Sequence, residues 1–103
     1  MRFLVKASSP VEAGNALVKQ GKLDETIQSI LADLKPEAVY FTAESGKRTC
    51  YLVVDLANAS QLPRVSEPFF LAFSASVEFH AIMSPEDLMK SGPDIEQAAK
   101  KYS

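Results

Sequence analysis

Residues 76–83, Ser-Val-Glu-Phe-His-Ala-Ile-Met, hold the only histidine of the chain, His80, two positions after Glu78. Aromatic and β-branched content predicts a strand there. Residues two apart in a strand share a face, so the carboxylate and the imidazole stand side by side. An imidazole titrates near neutral pH and is a natural proton shuttle. A neighbouring carboxylate raises its proton affinity and orients it, as a general base requires. Alternation puts Tyr40, Tyr51, Arg2 and Lys6 on the same face. A catalytic set would then use His80 as base, Glu78 as its orienting partner and Tyr40 as donor. The same residues also read as ordinary polar pairs, made across a subunit contact or towards solvent.

Other chemistries find less support. Asp55 closes the run Tyr-Leu-Val-Val-Asp and is followed by Asn58. A strand-end carboxylate of this kind is expected to cap the next turn through hydrogen bonds to backbone. Cys50 is the only cysteine, so no intrachain disulfide forms. It lies in an apolar run and reads as a buried structural thiol, since a reactive one needs an electropositive, accessible setting. Zinc sites take about three or four protein ligands, and the chain has neither Cys-x-x-Cys nor His-x-x-x-His, so no metal is expected. Glycines 14, 21, 46 and 92 are scattered and form neither a dinucleotide fingerprint nor a phosphate loop. No cofactor is expected. There is no nucleophile elbow, and the serines at 8, 9, 60 and 84 read as caps and turns. Phe69, Phe70 and Phe73, at helical spacing, read as core.

Composition narrows the classes further. The chain has 103 residues, 47% hydrophobic and 23% charged, with a formal net charge of −2. This is ordinary globular composition, and the length suits one domain spanning 1–103. The only basic pairs are Lys47-Arg48 and Lys100-Lys101, too sparse for the cationic patch that a nucleic-acid binder needs. The N-terminal apolar run is too short for a secretory signal, and no stretch approaches a membrane span. A soluble cytoplasmic protein with no membrane partner is expected.

The elements follow from pattern. Residues 2–7 read as a strand. Ser9, Pro10 and Glu12 read as N-cap, first helical residue and capping-box acid. The helix so started should break or bend at Gly21. It resumes on the apolar stripe Ile27, Ile30, Leu31 and Leu34 and ends at Lys35-Pro36. Residues 38–43 and 49–56 form a β-hairpin around Gly46. Ser60 is the expected cap of a second helix carrying Leu62, Val65, Phe69 and Phe73 on one side, with Pro68 kinking it. Residues 75–83 are the last strand. Ser84-Pro85 starts another short helix, Gly92-Pro93 interrupts, and residues 94–101 make a final turn or two. The order β-α-β-β-α-β is that of an α+β, ferredoxin-like sandwich, with right-handed crossovers placing both main helices on one face of the sheet.

The other face is the difficulty. On the last strand Val77, Phe79, Ala81 and Met83 point to the helices, and Ser76, Glu78, His80 and Ile82 point away. The hairpin is apolar on both sides: Val39 and Phe41 against Ala38 and Tyr40, Cys50, Leu52 and Val54 against Tyr51 and Val53. A strand covered on one face only should alternate with polar residues. A second copy, packed sheet to sheet in a homodimer, is the economical cover.

The stretches YFTAESGKRTCYLVVDLAN and PRVSEPFFLAFSASVEFHAIMSPEDL, with that element order, resemble the dimeric α+β barrel superfamily and, within it, a small bacterial family of uncharacterised function. The resemblance spans about residues 2–90. It implies a homodimeric barrel with helices outside. Members of the superfamily include cofactor-free monooxygenases, muconolactone isomerases, haem-degrading enzymes, chlorite dismutases and stress-induced dimers. They share architecture and no one chemical motif, so the resemblance chooses no reaction. The reading is a small-molecule-binding or structural homodimer. The alternative is a cofactor-independent isomerase or monooxygenase with His80 as general base.

Overall fold

The computed structural model describes residues 1–103. It contains four strands, β1 (Arg2–Ser8), β2 (Ala38–Glu44), β3 (Lys47–Asp55) and β4 (Ser76–Ala81), and five helices, α1 (Val11–Lys19), α2 (Leu23–Leu34), α3 (Leu62–Phe73), α4 (Pro85–Lys90) and α5 (Gly92–Tyr102). The sheet order is β2-β3-β1-β4, and every neighbouring pair is antiparallel. β2 is therefore parallel to β1 with β3 inserted between them, which is the ferredoxin-like α+β arrangement.

The core forms where the alternating apolar positions of the strands meet two helical stripes. Val5, Ala7, Cys50, Leu52 and Val54 from the two central strands pack with Ile30 and Leu34 of α2 and Val65, Phe69 and Phe73 of α3. Phe3 and Phe79 meet edge to face on adjacent strands, centroids 6.0 Å apart, a favoured aromatic geometry. α1 and α2 are two helices because Gly21 takes φ +69°, a conformation with little cost for glycine. α3 runs unbroken across Pro68.

Three expectations about caps are corrected. Ser9 is not the N-cap of α1: Pro10 holds that position without a side-chain bond. Ser9 is buried, and its hydroxyl donates to the Phe73 carbonyl at 3.1 Å. That carbonyl ends α3 and would otherwise lack a partner, so Ser9 joins the end of β1 to the end of α3. Ser60 does not cap α3 either. A 3-10 turn, Ala59–Gln61, precedes the helix, and Asn58 caps it in a reciprocal box with Gln61. Asp55 leaves that turn to Asn58 and instead accepts from the Met1 amino group at 2.8 Å. At Ser84 the expected cap is present, with Asp87 completing the box.

Two further differences concern the end of the chain. β4 stops at Ala81, so Met83 is off the sheet and 63% exposed. The last helix is longer than expected: α5 begins at Gly92 and runs 11 residues, none of them buried. α4 buries none of its residues either. Together they form an arm, and the chain extends 59 Å along its long axis with a radius of gyration of 17.3 Å. A compact chain of this length has about 13 Å.

Candidate functional sites on the two faces of the sheet

On the face away from the helices, register arranges the side chains in rows. Tyr40 lies opposite Tyr51, Tyr51 opposite Lys6 and Lys6 opposite Glu78. The next row is Ala38, Val53, Leu4 and His80. The structure thus brings Glu78 and His80 together, with His80 Nε2 3.7 Å from Glu78 Oε2. Glu78 Oε2 is also 4.0 Å from Lys6 Nζ. Lys6 pairs in turn with Glu44, which accepts a hydrogen bond from the Tyr51 hydroxyl. A polar chain, His80-Glu78-Lys6-Glu44-Tyr51, therefore crosses all four strands.

Glu44 is the hub of this chain, and sequence reasoning assigned it to a turn. Ser45 and Gly46 both have positive φ, the mark of a two-residue hairpin turn. So tight a turn carries β2 on to Glu44, whose parity matches that of Tyr40 and Thr42. The hydrogen bond and charge of Lys6, followed by the Tyr51 hydroxyl, hold the Glu44 carboxyl below its ordinary range. Glu44 in return raises the proton affinity of Lys6 and Tyr51. Tyr40 does not join. It is on the far edge strand, three strand spacings or about 14 Å from the Glu78 backbone, and is 71% exposed. Arg2, the other proposed associate, pairs with Glu37 at 2.8 Å. Glu78 and His80 themselves are more than half exposed.

The helix side holds a cavity of about 300 Å³, between the hairpin and the helices. Its walls are chiefly Ala7, Leu23, Phe41, Cys50, Phe69 and Phe73. Phe69 and Phe73 belong to the core as expected, whereas Phe70 points outward and is 42% exposed. Phe41, at the mouth, is 56% exposed because β2 is an edge strand that the helices only partly cover. Burial pushes the Cys50 thiol up to about 11, so it is held neutral, a weak nucleophile. Arg48 stands at the rim and reaches over α1. Its Nη1 donates to the Val11 carbonyl at 3.3 Å and its Nη2 to Asn15 Oδ1 at 3.0 Å. Gly14 permits this approach, since a Cβ there would lie 2.6 Å from Nη1. Two features legible from residue types point to this cavity, the Phe69/Phe73 stripe and the apolar Phe41. Residue types do not show that the helices leave space between them.

No helix is long and apolar enough to cross a membrane. No family model matches the chain, and no curated protein matches it. Among solved structures it is similar to the 5-chloro-2-hydroxyhydroquinone dehydrochlorinase (TftG) of Burkholderia phenoliruptrix AC1100, solved as a complex with 2,5-dihydroxybenzoquinone. The identity is 16%, the TM-score 0.60, and the match covers 84% of this chain and 99% of that one. At that identity the likeness is one of architecture, and it agrees with the strand order: the chain has a ferredoxin-like α+β fold.

Proposed function

We propose that this protein is a homodimer, joined sheet to sheet as an α+β barrel, that binds a small apolar molecule in the cavity between sheet and helices. The cavity carries the reading. Ligand sites are concave and mostly apolar, and about 300 Å³ is the lower end of their usual range. An apolar cavity of about 150 Å³ already takes benzene, so a single-ring compound fits the space beside Phe41, Phe69 and Phe73. Support comes also from the solved neighbour, which holds a one-ring molecule on a similar architecture. The dimer rests on Leu4, Val53, Ala38 and Tyr40, apolar or aromatic side chains on a sheet face that nothing else in the chain covers. His80 and Glu78 would look into the space between the two sheets. A general-base role for His80 rests on the 3.7 Å contact with Glu78 alone, and Tyr40 could serve it only from the second copy.

Two measurements test the proposal. Indole, added up to millimolar concentration, is expected to shift the NMR resonances of Phe41 and Phe73 and to slow alkylation of Cys50. Unchanged spectra and an unchanged alkylation rate would remove the cavity reading. Light scattering is expected to give twice the chain mass, and a monomer at micromolar concentration would remove the dimer.

A further inference from the structure

The cavity on the helix side has one charged residue in its lining, Arg48. The other side chains there are apolar or carry a hydroxyl or thiol. Two of the hydroxyls already have partners: Ser9 donates to the Phe73 carbonyl and Thr49 to the Lys47 carbonyl, both at 3.1 Å. The Arg48 guanidinium has donors to spare. Of its five N–H groups, Nη1 gives one to the Val11 carbonyl and Nη2 one to Asn15. Both acceptors are neutral, so neither compensates the positive charge. No carboxylate of the chain pairs with Arg48, whereas Arg2 is paired with Glu37.

The guanidinium is also held in place. Arg48 is two residues before Cys50 on β3 and so shares its helix-side face. It lies against Gly14 in the middle of α1, where a Cβ would stand 2.6 Å from Nη1 and 3.2 Å from Cζ. Glycine is a poor residue for a helix interior, and at this position it makes the seat. The two bonds to α1 then fix the charge at the rim of an apolar space. Low-dielectric walls focus the field of such a charge and favour an anion, an attraction that a neutral ring leaves unused. The charge is single, so a monoanion balances it, and a carboxylate matches the planar set of donors. We propose that the ligand of this cavity is an aromatic monocarboxylate, its ring among Phe41, Phe69 and Phe73 and its carboxylate on the Arg48 guanidinium. The inference rests on the cavity being a ligand site and adds the class of ligand.

NMR titrations of the full chain, read at Phe41 and Phe73, test it with three probes. Benzoate has ring and charge, benzamide is its neutral isostere, and acetate has the charge without the ring. Benzoate is expected to bind at least about fivefold more tightly than benzamide and at least about tenfold more tightly than acetate. Arg48→Gln is expected to bring benzoate to within about twofold of benzamide. The ratio within one protein is the readout, so a general loosening of the cavity affects both ligands alike, and the wild-type comparison stands without the variant. Equal affinities for benzoate and benzamide, a preference that persists in Arg48→Gln, or acetate binding as tightly as benzoate would overturn the proposal. If indole moves Phe41 and Phe73 while benzoate shows no preference, the cavity remains a ligand site and this inference alone falls. If indole leaves them unmoved as well, both fall.

Discussion

The two faces of the sheet are built from the same strands and meet different conditions. Leu52 is 1% exposed, with α2 and α3 closing over the core of which it is part. Its chain neighbours Tyr51 and Val53, pointing the other way, are left half-buried. The helix side finds its packing partner within the chain, and the open side does not. The open side nevertheless carries Leu4, Tyr40, Tyr51 and Val53 among its polar residues. A sheet patterned for two covers, with one cover present, is what leads to the proposed dimer. The helix side offers a mostly apolar space beside Phe41, and the open side offers a polar chain from His80 to Tyr51.

The contrast can be broken most sharply with thiols. With its thiol pushed up to about 11, Cys50 carries roughly 300-fold less thiolate at pH 7.5 than an ordinary thiol, and after the higher nucleophilicity of such a thiolate is allowed for it is expected to alkylate at least about tenfold more slowly. In the isolated subunit a Ser76→Cys thiol on the open face should react as a free one. Comparable rates at both positions would mean that the helix side is open. Leu52→Ala should cost about 3 kcal/mol in a denaturant titration, whereas Val53→Ala should cost under about 1 kcal/mol in the isolated subunit. Val53→Asp should leave the fold intact and raise the dimer dissociation constant by about a hundredfold, because it would place a charge without a partner between two sheets. A sedimentation series reads this directly, and an unchanged constant would locate the contact elsewhere.

The smallest effect is that of pH. Glu44 is held below its ordinary carboxylate range, so its contribution is present above the unfolded-state pKa and is lost as pH falls through the folded value. Lys6 and Tyr51 are raised. Their contribution is therefore complete below their unfolded-state values and is lost as pH rises through the folded ones. Denaturation midpoints of the wild-type chain should decline at both ends. E44Q should flatten the acid limb and the part of the alkaline limb that depends on Glu44. An acid limb of unchanged slope in E44Q would mean that the polar chain does not form.

Local chemistry made most of the fold legible. The hairpin glycine, the Ser84-Pro85 helix start and the α2 and α3 stripes each act within a few residues, and all are present. Face parity was legible for the same reason, so Glu78 and His80 are adjacent as expected. Lateral distance was not. Tyr40 shares a face with His80 but stands at the opposite edge, because strand order is set by long-range pairing and not by alternation. Ser9 was misread because its pattern fits a cap, while its actual partner, the Phe73 carbonyl, is 64 residues away. Glu44 was missed for a subtler reason: the length of a strand next to a turn depends on the turn type, and Ser-Gly at positive φ allows the shortest form.

That turn has a bearing on how the hairpin can vary. With only Ser45 and Gly46 between the strands, one inserted residue must either loop out or be absorbed into the register. Absorbed, it would turn β2 over as a unit, carrying Glu44 from the open face to the helix side and away from Lys6 and Tyr51, and taking Val39 and Phe41 off the helix side. Insertions in natural variants should therefore concentrate in the loops around the helices, with the length between β2 and β3 kept at two.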